Sequence, residues 1–441
     1  MTDTAADLSE RLKDPDYSPP MAEAIPLGLQ HVLAMFVSNF TPAIIVGGAA
    51  GFAFGSADMI FLIQMSMLFA GIATLFQTIG AGPVGARLPV MQGTSFAFIP
   101  VMIPVAAGAG MGALFGAVVI GGLFHAFLGT FIGRIRSWFP PLVTGVVIMS
   151  IGLALIPIGI QYAAGGVPLM GKPEFGGLNH WALALIVVVV SLGLKFYAKG
   201  LMSTAAVLIG LIVGYVIAIP FGMVNFGGVG NAAWFAIPTP FKYGFEINAA
   251  AIIGMCLMAI VSAIETVGDI SGIAKGGAGR EATDKELSGG TYADGLGTAI
   301  AGVFGGLPNT SFSQNVGLIS MTGVMSRMVV TIGAVFLVVA GLIPKIGAIV
   351  ASMPIAVLGG GVIVMFGMVV SAGINMLADV KWSRRNMLIL AVALSVGLGL
   401  QAVPTALQHL PDTLRMLLAS GLLPVAFIAV ILNKFLPEET N

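Results

Sequence analysis

Three acidic side chains fall inside otherwise apolar stretches: Glu265, Asp269 and Asp294. An ionisable group placed in a membrane costs ~2.5 kcal/mol or more, so it points to function by default. Glu265 and Asp269 are four residues apart and share one face of a helix. No Lys or Arg lies within the stretches beside them. A carboxyl group without a cation partner in such surroundings can take up and release a proton. The blander reading is that these acids pin helix ends near the cytoplasmic surface. Gln314-Asn315 offers amide donors and acceptors, and amides pair with planar heterocycles as they do with base edges. Glu265 could accept an N–H from the same ring. A helix starting at this point would favour an electron-rich or anionic ligand, although Ser313 or Asn315 could simply cap it. Phe96 can stack on a flat ligand or pack in a core. His31, beside Gln30, can hydrogen-bond to a neighbouring span or handle ligand or proton, whereas His125 reads as packing.

The elements that position these groups are membrane spans. The chain has 441 residues, 57% hydrophobic and 9% charged, against about 25% charged in soluble domains. Its apolar runs are about 18–25 residues long, which fits helices and not barrel strands. The 61 glycines suit close helix packing in lipid. Zero net charge gives no reason to expect nucleic acid. The single Cys256 excludes a disulfide framework and a Cys-based metal site. Residues 1–20 are polar, with no apolar core of a cleaved signal.

Fourteen candidate spans emerge, roughly at 25–47, 58–80, 92–107, 112–133, 141–161, 180–197, 202–221, 246–271, 289–305, 312–323, 328–343, 355–375, 386–402 and 413–433. The third and tenth are too short to cross as plain helices. Thr-Ser-Phe lies in the third, at 94–96, and leads into the tenth, at 310–312, each time shortly after Leu-Pro. Each is expected to be a short strand followed by a half-helix, with 95–98 and 309–313 side by side and antiparallel. Broken backbone of this kind marks a transporter's binding site. With both termini cytoplasmic, only Lys172, Lys242, Lys345 and Arg415 of the 19 Lys and Arg face outward, as the positive-inside rule requires. Two halves of seven spans each must have opposite orientations, so the expected fold is an all-α polytopic membrane protein with a 7+7 inverted repeat. Val37-Ser38 and Val261-Ser262 are a further echo between the halves. The segment 221–245 is expected to connect the halves outside, and 272–288 to be a solvated cytoplasmic loop.

Gln314-Asn315-Val316-Gly317-Leu318-Ile319-Ser320-Met321-Thr322-Gly323 resembles the signature of the nucleobase–ascorbate transporter family at every fixed position. Gln30-His31, Gln92-Gly93-Thr94-Ser95-Phe96, Glu265-Thr266-Val267-Gly268-Asp269 and Ala293-Asp294-Gly295 are similar to that family too. The resemblance implies a core domain from 25–133 and 246–343, and a gate domain from 134–221 and 344–433. Tails at 1–24 and 434–441 and an extracytoplasmic connection at 222–245 complete the expected layout. It further implies proton-coupled uptake of a nucleobase across a bacterial inner membrane, usually by a homodimer. Glu265 and Gln314 would bind the base, Phe96 would stack on it, and backbone at Ser95, Ala97 and Ser313 would complete the site. Ser38 would line it, while Asp269, Asp294, His31 and Asn315 would support it or couple it to protons.

Gln at 314, with Asn315 and Thr322-Gly323, resembles the bacterial xanthine and urate permeases, where uracil carriers tend to have Glu. Bacterial xanthine carriers often have Asn in the stretch where this chain has Ser95 and Ala97, which leaves urate open. The expected function is therefore symport of an oxidised purine with protons, and the proton is the coupling ion with no cofactor. The alternatives are a uracil or broader nucleobase permease, or an anion carrier of the sulfate-transporter type on the same plan. Those anion carriers usually have a cytoplasmic C-terminal domain, which is not expected after Leu432. An intramembrane enzyme is not expected, since the chain has no His-Glu-x-x-His motif and no evident nucleophile–base pair.

Overall fold

A computed structural model describes residues 11–437; the parts of the expected tails at 1–10 and 438–441 lie outside the described residues. The first half begins with α1 (Met21–Ala49) and α2 (Ala57–Thr78), then a three-residue strand, β1 (Gln92–Thr94). It continues with α3 (Ile99–Gly108), α4 (Met111–Gly129), α5 (Pro141–Ala163), α6 (Leu178–Tyr197) and α7 (Ala206–Ala218). The second half has α8 (Ala249–Ala278), α9 (Asp284–Val303), β2 (Asn309–Ser311) and α10 (Ser313–Thr322). It ends with α11 (Arg327–Gly341), α12 (Pro344–Ala351), α13 (Ile355–Leu377), α14 (Arg384–Ala402), α15 (Asp412–Ala419) and α16 (Leu422–Phe435).

Eight of these helices are long and apolar enough to cross a membrane. The count rises to ten if two bent pairs, α11–α12 at 80° and α15–α16 at 78°, are each one span. The protein is thus a multi-pass membrane protein. The remaining expected spans correspond to α3, α7 and α10, which are short, and to α9, which is rich in polar residues and glycine. Span fourteen, expected over 413–433, is broken, whereas span eleven, expected over 328–343, matches α11 and the bend follows at its end. Pro344 opens a new helix with its missing N–H at the start, and Gly421, at φ 74°, breaks the last span before α16.

The expected loop at 272–288 is mostly helix. Asn248 caps the start of α8, which runs on to Ala278 and stops at Gly279 in the left-handed conformation. A capping box then starts α9: Thr283 Oγ1 accepts from the Glu286 N–H, and the Glu286 carboxylate accepts from the Thr283 N–H. Arg280 anchors that carboxylate with two further bonds.

β1 and β2 pair antiparallel, with Gln92 opposite Ser311, Gly93 opposite Thr310 and Thr94 opposite Asn309. Two bonds extend the ladder, from Ser95 N–H to Pro308 O and from Phe312 N–H to Met91 O, at 2.8 and 3.0 Å. The first extended piece therefore lies at 92–94, not at 95–98, which bends into α3. Two distant side chains hold it there. Thr74 Oγ1 accepts from the Gln92 N–H (2.9 Å), and Asn39 Oδ1 accepts from the Thr94 N–H (2.9 Å). The second piece is shorter than 309–313, because Ser313 is already in the first turn of α10. Gly93 is required by packing: a Cβ there would run into the Phe312 ring and Met35.

α1 and α2 pack on β1, and α8 and α9 pack on β2. α2 packs on α11 in the same way that α4 packs on α9. Glycine brings the latter backbones together, since a Cβ on Gly122 would lie 2.5 Å from the Ala299 nitrogen. A second group forms around α5 against α13, α6 against α7, and α14 against α16. The connection between the halves is tied down at the N-terminal end of α2. Lys242 and the Tyr243 hydroxyl both donate to Asp58 at 2.9 Å, and the Tyr243 ring stacks on Phe52 and Phe115.

Candidate functional site

The acidic face of α8 lies against β2 and the start of α10. Asp269 accepts one hydrogen bond from Ser311 and one from Ser313, both at 2.7 Å. One turn earlier, Glu265 accepts a long bond of 3.5 Å from Thr310, whose hydroxyl in turn accepts from Ser262 at 3.1 Å. Asp269 is buried, whereas Glu265 is half-buried. The spacing of these residues on α8 thus brings two carboxylates onto one short strand, and no Lys or Arg is paired with either among the described residues.

Asp294 does something different. Its Oδ1 accepts from Gln77 Nε2 (2.8 Å) and Gln92 Nε2 (2.5 Å), and its Oδ2 accepts from the Thr266 hydroxyl. Gln77 also donates to Gly290 O (2.9 Å) and accepts from the Ala86 N–H (3.1 Å). Asp294 therefore joins both halves, and through Thr266 it touches the residue next to Glu265.

Neither Ser313 nor Asn315 caps α10. The Ser313 hydroxyl is committed to Asp269. Asn315 Nδ2 donates to the His31 ring Nδ1 and to His31 O, both at 3.0 Å, which makes Nδ1 the acceptor and fastens α10 to α1. Asn315 Oδ1, Gln92 Oε1 and Ser95 Oγ are buried with no hydrogen-bond partner. Both ring nitrogens of buried His125 are unpartnered as well.

A cavity of about 270 Å³ lies between α1, α10, α13 and the chain around the short helix Leu201–Thr204. Ser38 and Gln314 line it, together with Lys195, Thr204, Met365 and Met368. Small-ligand sites are commonly a few hundred Å³, mostly apolar, with a few convergent polar groups. Of the other expected binding residues, Phe96, Ser95 and Ala97 are buried beside the strand pair and not in the cavity wall. Glu265 and Ser313 are also outside that wall. The Ser95 N–H is committed to the Pro308 carbonyl, so this part of the expected backbone site is already used by the ladder.

The sequence model of a family described as Permease family matches residues 22–406. The chain belongs to this family. The permease is 39% identical over 415 residues to the uric acid transporter UacT of Escherichia coli (strain K12), an alignment covering 93% of this chain and 85% of that one. It is 36% identical over 419 residues to a xanthine permease of Bacillus subtilis (strain 168), covering 93% of each chain. These relatives agree with the nucleobase–ascorbate transporter resemblance of the motifs. Among solved structures, the permease is similar to the transmembrane domain of a cyanobacterium bicarbonate transporter, BicA. The TM-score is 0.61 at 16% identity, covering 93% of this chain and 97% of that one. At that identity the likeness concerns the fold.

Several residues of the permease's polar network carry no charge and went unnoticed in the sequence. Asn39, Thr74, Gln77, Thr266 and Thr298 belong to it; Thr298 Oγ1 accepts from the Asn309 N–H at 3.0 Å. The signal available was an amide inside an apolar run, at Asn39 and Gln77. Threonine gives no comparable signal, since in a helix it commonly bonds to its own backbone, as Thr41 does to Val37 O.

Proposed function

We propose that this permease imports an oxidised purine, xanthine or urate, together with protons across a bacterial inner membrane. The observation that carries this reading is the placing of a cavity-lining amide on α10 directly after a strand bonded to two carboxyl groups. Gln314 borders the cavity on the first turn of α10, while the strand just before it gives its hydroxyls to Glu265 and Asp269. A planar base in that cavity would meet the Gln314 amide and the Ser38 hydroxyl. Closure around it would bring Glu265 and Phe96 to the ring, with Ser95, Ala97 and Ser313 as its floor. A proton on Glu265 would let the carboxyl donate to a base carbonyl, so that proton and base binding reinforce each other. Asp269 would share that proton, and Asp294, His31 and Asn315 would hold the site's shape.

Transport would proceed by alternating access. The helices α1–α4 and α8–α11 would move with the strand pair as a core against a gate of α5–α7 and α12–α16. The protein would work as a homodimer with both termini in the cytoplasm. The test is uptake of labelled xanthine, urate, uracil and sulfate by cells expressing the protein. Uptake of xanthine or urate that collapses with the proton gradient is expected. Uptake confined to sulfate would overturn the reading.

A further inference from the structure

Two contacts join the expected substrate residues to the gate helix α13. The Ser38 hydroxyl donates to the Met365 sulfur at 3.1 Å, in a buried position. The next residue, Phe366, is fully buried and meets the Phe96 ring edge-on, with centroids 5.4 Å apart and planes at 85°. Ser38 and Met365 both line the cavity that holds Gln314.

A thioether is a weak acceptor. A hydroxyl donating to one has its hydrogen satisfied at little energy, and a carbonyl or ring nitrogen is a better partner. An edge-on aromatic pair is worth about 0.5–1.5 kcal/mol beyond the area it buries, and a planar ligand stacking on Phe96 could displace it.

We propose that Met365 and Phe366 are positioning residues that occupy Ser38 and Phe96 from the gate side until an oxidised purine takes their place. The inference rests on the purine reading given above. Binding then exchanges a core–gate hydrogen bond for a core–substrate one, so a substrate with an acceptor facing Ser38 loosens α13 from α1 as it binds. A ligand that makes no bond to Ser38 fills the cavity but leaves this contact in place. Selectivity among bases would thus be set partly by residues on the gate.

The test is a double-mutant cycle with Met365→Leu and Ser38→Ala, read as equilibrium binding and as uptake of xanthine and urate. Leucine conserves volume and removes the sulfur. Met365→Leu is expected to tighten purine binding by about threefold, the order of one weak hydrogen bond released, while maximal uptake changes by less. In the Ser38→Ala background the same substitution is expected to have no effect on binding. Phe366→Leu is expected to tighten binding in the same sense, and only while Phe96 is present. A purely structural role for Met365 would weaken binding and uptake together, equally in both backgrounds, and that outcome overturns the proposal. Equal binding by wild type and Met365→Leu also overturns it. If wild type binds neither purine, the functional reading fails and this inference falls with it. Binding by wild type with an additive cycle defeats this inference alone.

Discussion

The two broken segments of this chain share a design but not a chemistry. β1 and β2 are both three residues long, both buried, and each is clamped by a threonine from a neighbouring helix: Thr74 holds Gln92, and Thr298 holds Asn309. Around β1 the supporting groups are neutral, with Asn39 and Thr74 bonding its backbone and Phe96 following it. Around β2 they are acids, Glu265 and Asp269, bonded to Thr310, Ser311 and Ser313. The contrast teaches that one fold element can be repeated for geometry while only one copy gives its hydroxyls to carboxylates. The third acid, Asp294, reaches across to Gln77 and Gln92, so the neutral half is held by a carboxyl group from the other half.

If the acids beside β2 carry the coupling, Glu265→Gln should have the largest effect. We expect complete loss of proton-driven accumulation, with residual purine binding becoming less sensitive to pH. Uptake against an imposed pH gradient, paired with binding at several pH values, checks this. Full accumulation by the mutant would move the coupling to Asp269 and then Asp294.

The neutral segment should instead fail through packing. Gly93→Ala forces a methyl group into the Phe312 ring and Met35, and overpacking of this kind costs about 1–3 kcal/mol. A lower thermal unfolding temperature in detergent is expected. An unchanged temperature would mean that β1 and β2 are not held together as described.

Gln314→Glu keeps the side-chain length but changes the bonds available to a base. A lost or misplaced buried hydrogen bond costs about 1–3 kcal/mol, so oxidised-purine uptake should fall by ~10-fold or more at equal expression. Unaltered xanthine and urate uptake would remove Gln314 from the contact set.

The smallest effect concerns the shared geometry. Thr74→Val and Thr298→Val each leave one buried strand N–H without its side-chain acceptor, at a cost of about 1 kcal/mol. The two losses of stability should be similar when measured by denaturation. A marked inequality would show that the clamps are not equivalent.

The carboxylates of α8 and the amides of α10 were legible because charge and broken backbone stand out in an apolar chain. The register of β1 was not. Thr-Ser-Phe at 94–96 and 310–312 drew the extended piece toward 95–98, yet Thr94 pairs with Asn309 and not with its counterpart Thr310. What holds the register is Asn39 and Thr74, on the two preceding helices, and nothing in the sequence around 92–98 reports them. The continuation of α8 through 272–278 was hidden because glycine and lysine there resemble a loop, while the capping box at Thr283 and Glu286 was readable as a helix start. The contact of Ser38 with Met365 crosses 327 residues of chain, and no local pattern reports it.

Joint movement of purine and proton past the acidic side of the strand pair is the proposed mechanism. Its most direct test is proton movement in proteoliposomes with a pH-sensitive dye inside and no imposed gradient. Adding xanthine or urate outside is predicted to acidify the interior with wild-type protein and not with Glu265→Gln. Purine entry with no acidification in the wild type would contradict the account.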